Sequence, residues 1–571
     1  MNPILRIFSY LKRYPRLAVI QFACAITSTA MVVIFPNITR RIIDEVIPKG
    51  DASALGPIIL LGLAAFFFRD FCESLRIRSN NTFEQKVIFD LRSDLYSKIQ
   101  MLPLRWFDNR STGDIMTRII EDVTSVERVL IDGVEQGLIA ILQLVIVGVC
   151  MFRMHAGLTG AALIPMPFLI AGAIYYSMTS RSRHRLVRDA TSDMNSVLHD
   201  NISGIRQIKS YTLEDTEHAR FNLFSDRLRA STLILMRWWS VYKPGMTFLN
   251  ATGYLIVLWF GSRACLDHSL STGELAAFIL LLNLFYEPIS RLTQLNQIVQ
   301  GSRAAGERVF EILDSEEEPQ VEEPIEPKET RGHIRFDGVG FSYTNSLPTI
   351  QNVTLEAKPG QTIALVGSTG AGKSTLIHLL TCFYPYNAGS ITIDGVPVEK
   401  LNRKWLREKI GYVTQESYLF NGTVRDNLRL GKTDATDEEY WQALAGANAR
   451  AFVERMPDGL DTKVGERGVK LSVGEKQRLS IARVLLKDPP IVLLDEATAS
   501  VDTETEQQIQ QALDHLLSQR TCIVIAHRLS TIRHANCIFV MDQGQVVESG
   551  NHDELLAKGG IYTKLCQTAY L

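Results

Sequence analysis

Residues 17–36 run without one charged side chain. A helix needs about 20 apolar residues to cross the hydrocarbon core of a bilayer, and this stretch is long enough. Residues 52–68 are also uncharged before Arg69 and Asp70, and uncharged runs follow at 137–152, 156–180 and 244–262. A further run, around 273–290, is the weakest. Its uncharged core is only 275–286, and Glu287 precedes Pro288 near its end. It is counted because it completes an even number. The six expected spans are about 17–36, 52–72, 134–153, 156–180, 244–264 and 272–292.

Basic residues set the direction. Lys12, Arg13 and Arg16 precede the first span, Arg76 and Arg78 follow the second, and Arg181, Arg183, Arg185 and Arg188 follow the fourth. Such flanks mark the cytoplasmic side. Arg40, Arg41 and Lys49 fall on the opposite side, accompanied by Asp44, Glu45 and Asp51. Residues 1–16 read as a basic amphipathic segment on the cytoplasmic membrane surface rather than a cleavable signal. The expected location is integral to a membrane, a bacterial inner membrane, with the N-terminus and the second half of the chain in the cytoplasm.

The loops expected outside, 37–51, 153–155 and 263–272, are short. The inside segments, 69–136 and 181–243, are too long to be structureless. Helical periodicity at 83–101 and 194–209 predicts helices projecting into the cytoplasm, with tips at 106–119 and 210–221. Residues 314–331 are acidic and proline-rich and read as a linker between a membrane domain at 1–313 and a second domain at 332–571. The eight cysteines contain no C-x-x-C pair, so neither zinc nor a disulfide framework is expected. A formal net charge of −2 offers no electrostatic case for nucleic acid.

In the second domain, Gly367, Ser368, Thr369, Gly370, Ala371, Gly372, Lys373, Ser374 and Thr375 fit G-x-x-x-x-G-K-[ST]. An apolar strand pattern precedes them and a helical pattern follows. In that context backbone N–H groups and a helix N-terminus point at phosphate oxygens. Lys373 is expected to reach the β/γ-phosphates of a nucleoside triphosphate, and Ser374 to hold Mg²⁺. Asp495 ends an apolar run, Ile491 to Leu494, where a Mg²⁺-binding carboxylate belongs. Glu496 follows at once and is placed to polarise an attacking water.

Between these lies Leu471-Ser-Val-Gly-Glu-Lys-Gln-Arg-Leu-Ser480, which resembles the signature segment of ABC transporters, usually L-S-G-G-Q. The whole chain resembles an ABC half-exporter. The fold this implies is a multi-domain membrane protein: an α-helical six-span transmembrane domain with long cytoplasmic extensions, then an α/β P-loop ATPase domain with a helical subdomain. The resemblance also implies roles. Tyr343 stacks on adenine, Gln415 senses Mg²⁺ and water, and Gly465 to Gly468 form an exporter-specific segment. Asp502 is the D-loop aspartate, and His527 contacts the γ-phosphate. ATP is sandwiched between the phosphate loop of one chain and Ser472 and Gly474 of another, so the expected partner is a second copy. Val473 and Glu475 depart from the usual glycine and glutamine. Valine is poor where φ must be positive and tolerated in a helix. Glu475 puts a negative charge near an anion site, and a heterodimer with one weakened site is the alternative it raises.

The implied function is ATP-driven export of lipids, drugs or similar amphipathic molecules by alternating access. The alternatives are a heterodimeric peptide or conjugate exporter and an ATP-gated regulatory protein. Glu287 is an ionisable residue near membrane depth. It reads either as a determinant for cationic substrates or as an interfacial glutamate.

Overall fold

A computed structural model describes Arg6 and residues 12–128, 134–344, 348–495, 502–526 and 532–569. The chain divides into two compact units, Met1–Gln100 with Thr112–Ser315, and Met101–Ser111 with Glu316–Leu571.

The first unit is helical. Helix α1 (Pro15–Met31) starts on Pro15, whose missing N–H is no loss in a first helical turn. Helix α2 (Leu55–Gln100) has 46 residues. At 1.5 Å per residue it is about 70 Å long, more than twice the roughly 30 Å hydrocarbon core, so it must continue beyond the bilayer. Its far half buries Phe83, Val87, Leu91 and Leu95, one turn apart, which is the stripe expected of a helix packed in water. The chain then leaves this unit through the short helix α3 (Leu104–Asp108). It returns to form α4 (Val134–Met154), α5 (Met166–Ser203), α6 (Ile205–Ser210), α7 (Glu214–Leu266) and α8 (Thr272–Asp314). A capping box between Ser271 and Glu274 starts α8. Helices α3 and α6 begin a few residues before the segments expected as tips, 106–119 and 210–221. Helix α2 ends at Gln100, close to the expected end of the 83–101 helix, whereas α5 ends at Ser203 before Gly204, short of the expected 209.

Among the described residues, five helical stretches are long and apolar enough to cross a membrane: Pro15–Lys49, Ala52–Gln100, Glu135–Met154, Ala156–Ser203 and Thr272–Ile289. The last is the run that looked weakest. The expected span 244–264 lies inside α7 but is diluted by Thr247, Asn250, Thr252 and Trp259, and does not reach the same apolarity. Glu287 also differs from expectation. Arg291 Nη2 donates to it at 2.6 Å, one turn along α8, so the site carries a neutral pair and not a lone negative charge. Arg76 is likewise no free flanking cation, being paired with buried Glu135 of α4 and with Glu73. Further along, Arg308 of α8 grips buried Asp122 through two nitrogens, Nε at 2.7 Å and Nη2 at 2.5 Å.

The second unit holds two sheets. Strands β1 (Ile334–Phe341), β2 (Ile350–Ala357), β4 (Ala388–Ile393) and β5 (Val396–Pro397) form an antiparallel sheet in the order β2-β1-β4-β5. The other sheet, in the order β10-β9-β3-β8-β7-β6, places β3 (Thr362–Gly367) between β8 (Thr521–Ile525) and β9 (Cys537–Asp542), parallel to both. Strands β7 (Ile491–Asp495) and β6 (Ile410–Val413) continue it in parallel, and β10 (Gln545–Gly550) closes the far edge antiparallel. Along β3, Ile363 and Leu365 face a core shared with the antiparallel sheet. Ala364 and Val366 face a second core shared with helices. This two-sided burial explains why β3 reads as a continuous apolar run.

That second core also holds α10 (Asp437–Gly446) of a helical region inserted before the signature. The acidic linker is not loose. Ile325 N donates to Lys400 O at 2.9 Å, and Glu318 is paired with Arg407, both within this unit.

Candidate nucleotide site

The phosphate loop joins β3 to helix α9 (Lys373–Leu380). Its shape demands glycine. A Cβ on Gly367 would lie 2.1 Å from the carbonyl oxygen of Met541 on β9, and Gly370 and Gly372 have φ of 84° and 95°. Lys373 is buried, and its Nζ donates to the carbonyls of Gly367 and Ser368, each at 2.9 Å. The ammonium thus lies across the loop it helps to form. Ser368, Thr369 and Gly370 are exposed on the rim, Ala371 is buried beneath, and Ser374 and Thr375 occupy the first turn of α9. No acidic residue lies in that turn. A helix N-terminus with glycine curvature, a lysine and no acid in its first turn is an anion cradle.

Tyr343 reaches this helix. Its hydroxyl is 3.3 Å from Thr375 Oγ1, and its ring packs edge-on against Phe341 and Tyr384 with centroids 4.8 and 5.0 Å apart. Asp495 ends β7, buried, as the strand reading required. The Tyr412 phenol is pushed up by burial, with the Asp495 carboxylate adding to the effect. Gln415 follows β6 and is exposed. Among the described residues no cluster of three His, Cys, Asp or Glu side chains has the makings of a metal site. The fit to Mg²⁺ is of another kind. One buried carboxylate, a hydroxyl and an amide are the hard oxygen donors that suffice when phosphate and water complete the shell.

The signature segment forms a second cluster. Ser472 caps helix α11 (Val473–Lys487), and Val473 takes the first helical position, 57% exposed and without strain. Gly474 is buried where α11 crosses α12 (Thr503–Leu517). A Cβ there would stand 2.2 Å from Thr505 Cγ2. Asp502 caps α12, accepting from Thr505 N at 3.0 Å, which holds its carboxyl below the usual range. Signature and D-loop are therefore joined within one chain through Gly474 and Thr505. Glu496 and His527 lie outside the described residues.

Sequence reasoning missed the surroundings of Tyr343. Arg105 of α3 donates to the Tyr343 carbonyl at 3.4 Å, and Asp108 accepts from the Tyr384 hydroxyl. These partners are over 200 positions apart in the chain, and no local pattern announces them.

Known proteins match this arrangement along nearly the whole chain. The ABC transporter transmembrane region matches residues 18–289, and the ABC transporter family model matches 350–499. The ABC transporter ATP-binding protein YknV of Bacillus subtilis is 37% identical over 571 residues, covering 99% of this chain and 94% of its own. An ATP-dependent lipid A-core flippase of Syntrophus aciditrophicus is 34% identical, covering 97% and 92%. A putative multidrug export ATP-binding/permease protein of Staphylococcus aureus is 36% identical, covering 89% of each chain. The solved structure of a bacterial Atm1-family ABC exporter with ATP bound superposes with a TM-score of 0.82 at 27% identity, covering 98% of this chain and 99% of that one. The chain belongs to the ABC transporter family. It is a membrane protein of the exporter type, with the transmembrane region and the ATPase domain fused in one polypeptide.

Proposed function

We propose that two copies of this chain form an exporter that moves amphipathic molecules, lipids or drug-like compounds, out of the cytoplasmic leaflet at the expense of ATP. The observation that carries the dimer is the state of Ser472. It stands exposed at the start of α11, and among the described residues its hydroxyl is hydrogen-bonded to Glu475 of its own helix. A second chain has to bring the triphosphate that an exposed signature helix is built to face. Exposed apolar residues on the cytoplasmic parts of α5 and α7, among them Leu186, Ile202, Leu223 and Leu233, support the same reading. They lie outside the expected spans, where lipid does not cover them.

In this reading six helices cross the membrane, and α3 and α6 are the tips that carry motion to it. Lys373 and the loop N–H groups hold the phosphates, and Tyr343 offers its ring to the base. Ser374, Gln415 and Asp495 hold Mg²⁺, which neutralises phosphate charge when bound. Glu496 orients the attacking water, His527 contacts the terminal phosphate, and Asp502 lines the interface beside Ser472. Closure of the two ATPase domains and their reopening switch the membrane path between its two faces. Each ligand acts only through its different affinity for the two states. The S. aureus and S. aciditrophicus relatives, described as a putative multidrug exporter and a lipid A-core flippase, support amphipathic cargo.

The test is accumulation of a fluorescent amphiphile in inside-out vesicles. ATP should drive uptake against the gradient, and Glu496→Gln should abolish it. ATP-gated movement down the gradient alone would mark a regulatory channel and overturn the pump.

A further inference from the structure

The phosphate loop is ready for an anion, but the signature helix is not. Glu475 Oε2 accepts from both Ser472 N and Ser472 Oγ at 2.8 Å, while Glu475 N donates to Ser472 Oγ at 3.3 Å. A serine hydroxyl has one proton. With that proton on the Glu475 carboxylate, the oxygen turns only lone pairs outward and has nothing to give a phosphate. The carboxylate also sits in the first turn of α11, where it offsets the positive end of the helix that would attract an anion.

The neighbouring cation does not remove this effect. Arg478 lies one turn further and is buried, but its guanidinium is committed to the carbonyl oxygens of Gly474 and Asn448 and to Gln508. Asp502, held against α11 through Thr505 and Gly474, adds a second carboxylate to the same surface.

We propose that Glu475 is a positioning residue that sets how much ATP the dimer needs in order to close. It keeps the Ser472 proton in the open state, and closure requires the hydroxyl to turn from the Glu475 carboxylate to the terminal phosphate bound by the partner. No covalent bond changes; one charge-assisted hydrogen bond is exchanged for another. The negative charge of Glu475 opposes the exchange twice, by holding the proton and by repelling the phosphate. This inference rests on the two-chain site proposed above.

Glutamine at this position keeps both arms of the cap and removes the charge, so Glu475→Gln separates electrostatics from folding. The experiment uses the full chain in nanodiscs with Glu496→Gln to block hydrolysis. It measures ATP retained after rapid gel filtration as a function of ATP concentration. Adding Glu475→Gln should lower the half-occluding concentration about three- to tenfold, a range typical of one charge removed near a partly exposed anion site. Adding Ser472→Ala should raise it, and Glu475→Gln should then have a smaller effect, because the proton it withholds is gone. If Ser472→Ala leaves occlusion intact, the two-chain site fails and this inference fails with it. If Ser472→Ala weakens occlusion but Glu475→Gln does not strengthen it, only the role of Glu475 is overturned.

Discussion

Helices α9 and α11 belong to one domain, and each begins beside a loop that the family uses on ATP, yet their N-termini are built in opposite ways. The first turn of α9 has no acid, its cap is Gly372 at positive φ, and its lysine lies over the loop. The first turn of α11 contains Glu475, and its cap Ser472 is satisfied within the chain. A helix that must hold phosphate alone leaves its N–H groups open. A helix that meets phosphate only on assembly needs an internal partner until then, because unsatisfied N–H groups at a helix start are costly. On the proposed two-chain site, the difference teaches that one half-site would bind and the other would respond.

The largest expected effect tests whether binding and hydrolysis separate on the α9 side. Glu496→Gln should reduce ATP hydrolysis by about 10²–10⁴-fold, the usual range for a lost general base, while nucleotide is still retained. Brisk phosphate release by that variant would remove Glu496 from the reaction. Lys373→Ala should weaken binding of a fluorescent ATP analogue by about 10- to 100-fold, as expected for a lost charged hydrogen-bond donor. An unchanged affinity would break the claim that α9 is the binding half.

The α11 side makes a packing prediction. Gly474→Ala pushes a methyl against Thr505 Cγ2, and such overpacking costs about 1–3 kcal/mol. Thermal unfolding of the ATPase domain should come earlier in that variant, and Thr505→Ser, which removes the opposing methyl, should restore it. A Gly474→Ala protein as stable as the parent would mean that the crossing of α11 and α12 accommodates the extra methyl.

The smallest effect concerns pH. Burial holds His378 of α9 below the ordinary imidazole range, although the Asp495 and Asp108 carboxylates pull it up. A depressed folded-state value means that the unfolded chain takes up the proton first. The stability it contributes is therefore complete above the unfolded value of about 6.5 and is lost as pH falls through the folded value. His378→Gln should flatten the acid limb of a denaturation curve below pH 6.5 or so. An identical limb in both proteins would place the acid sensitivity elsewhere.

Much of the α9 half-site was legible because its determinants are contiguous. The glycines, Lys373 and Ser374 lie within nine positions, and the strand before them is buried on both faces, so both pattern and motif survive in one dimension. The α11 half-site was half legible. Its motif stands out, but whether Val473 would be strained depended on its backbone conformation, which the helix settles. Membrane spans were legible to the extent that their apolarity is uniform. The run at 273–290 reads weakly because Glu274 and Glu287 flank it, yet Glu274 turns out to be a capping residue and Glu287 half of an ion pair. Neither role shows in hydropathy.

The chain's order of letters determined its two-part nature, its apolar helices and its glycine-rich loop ahead of Lys373, since each depends on residues that are near neighbours in sequence. Only the folded chain decided what surrounds Tyr343, which charges are cancelled by partners, and that Ser472 is held by Glu475. Those properties depend on hydrogen bonds and packing whose distances and angles exist only once the backbone is fixed in three dimensions.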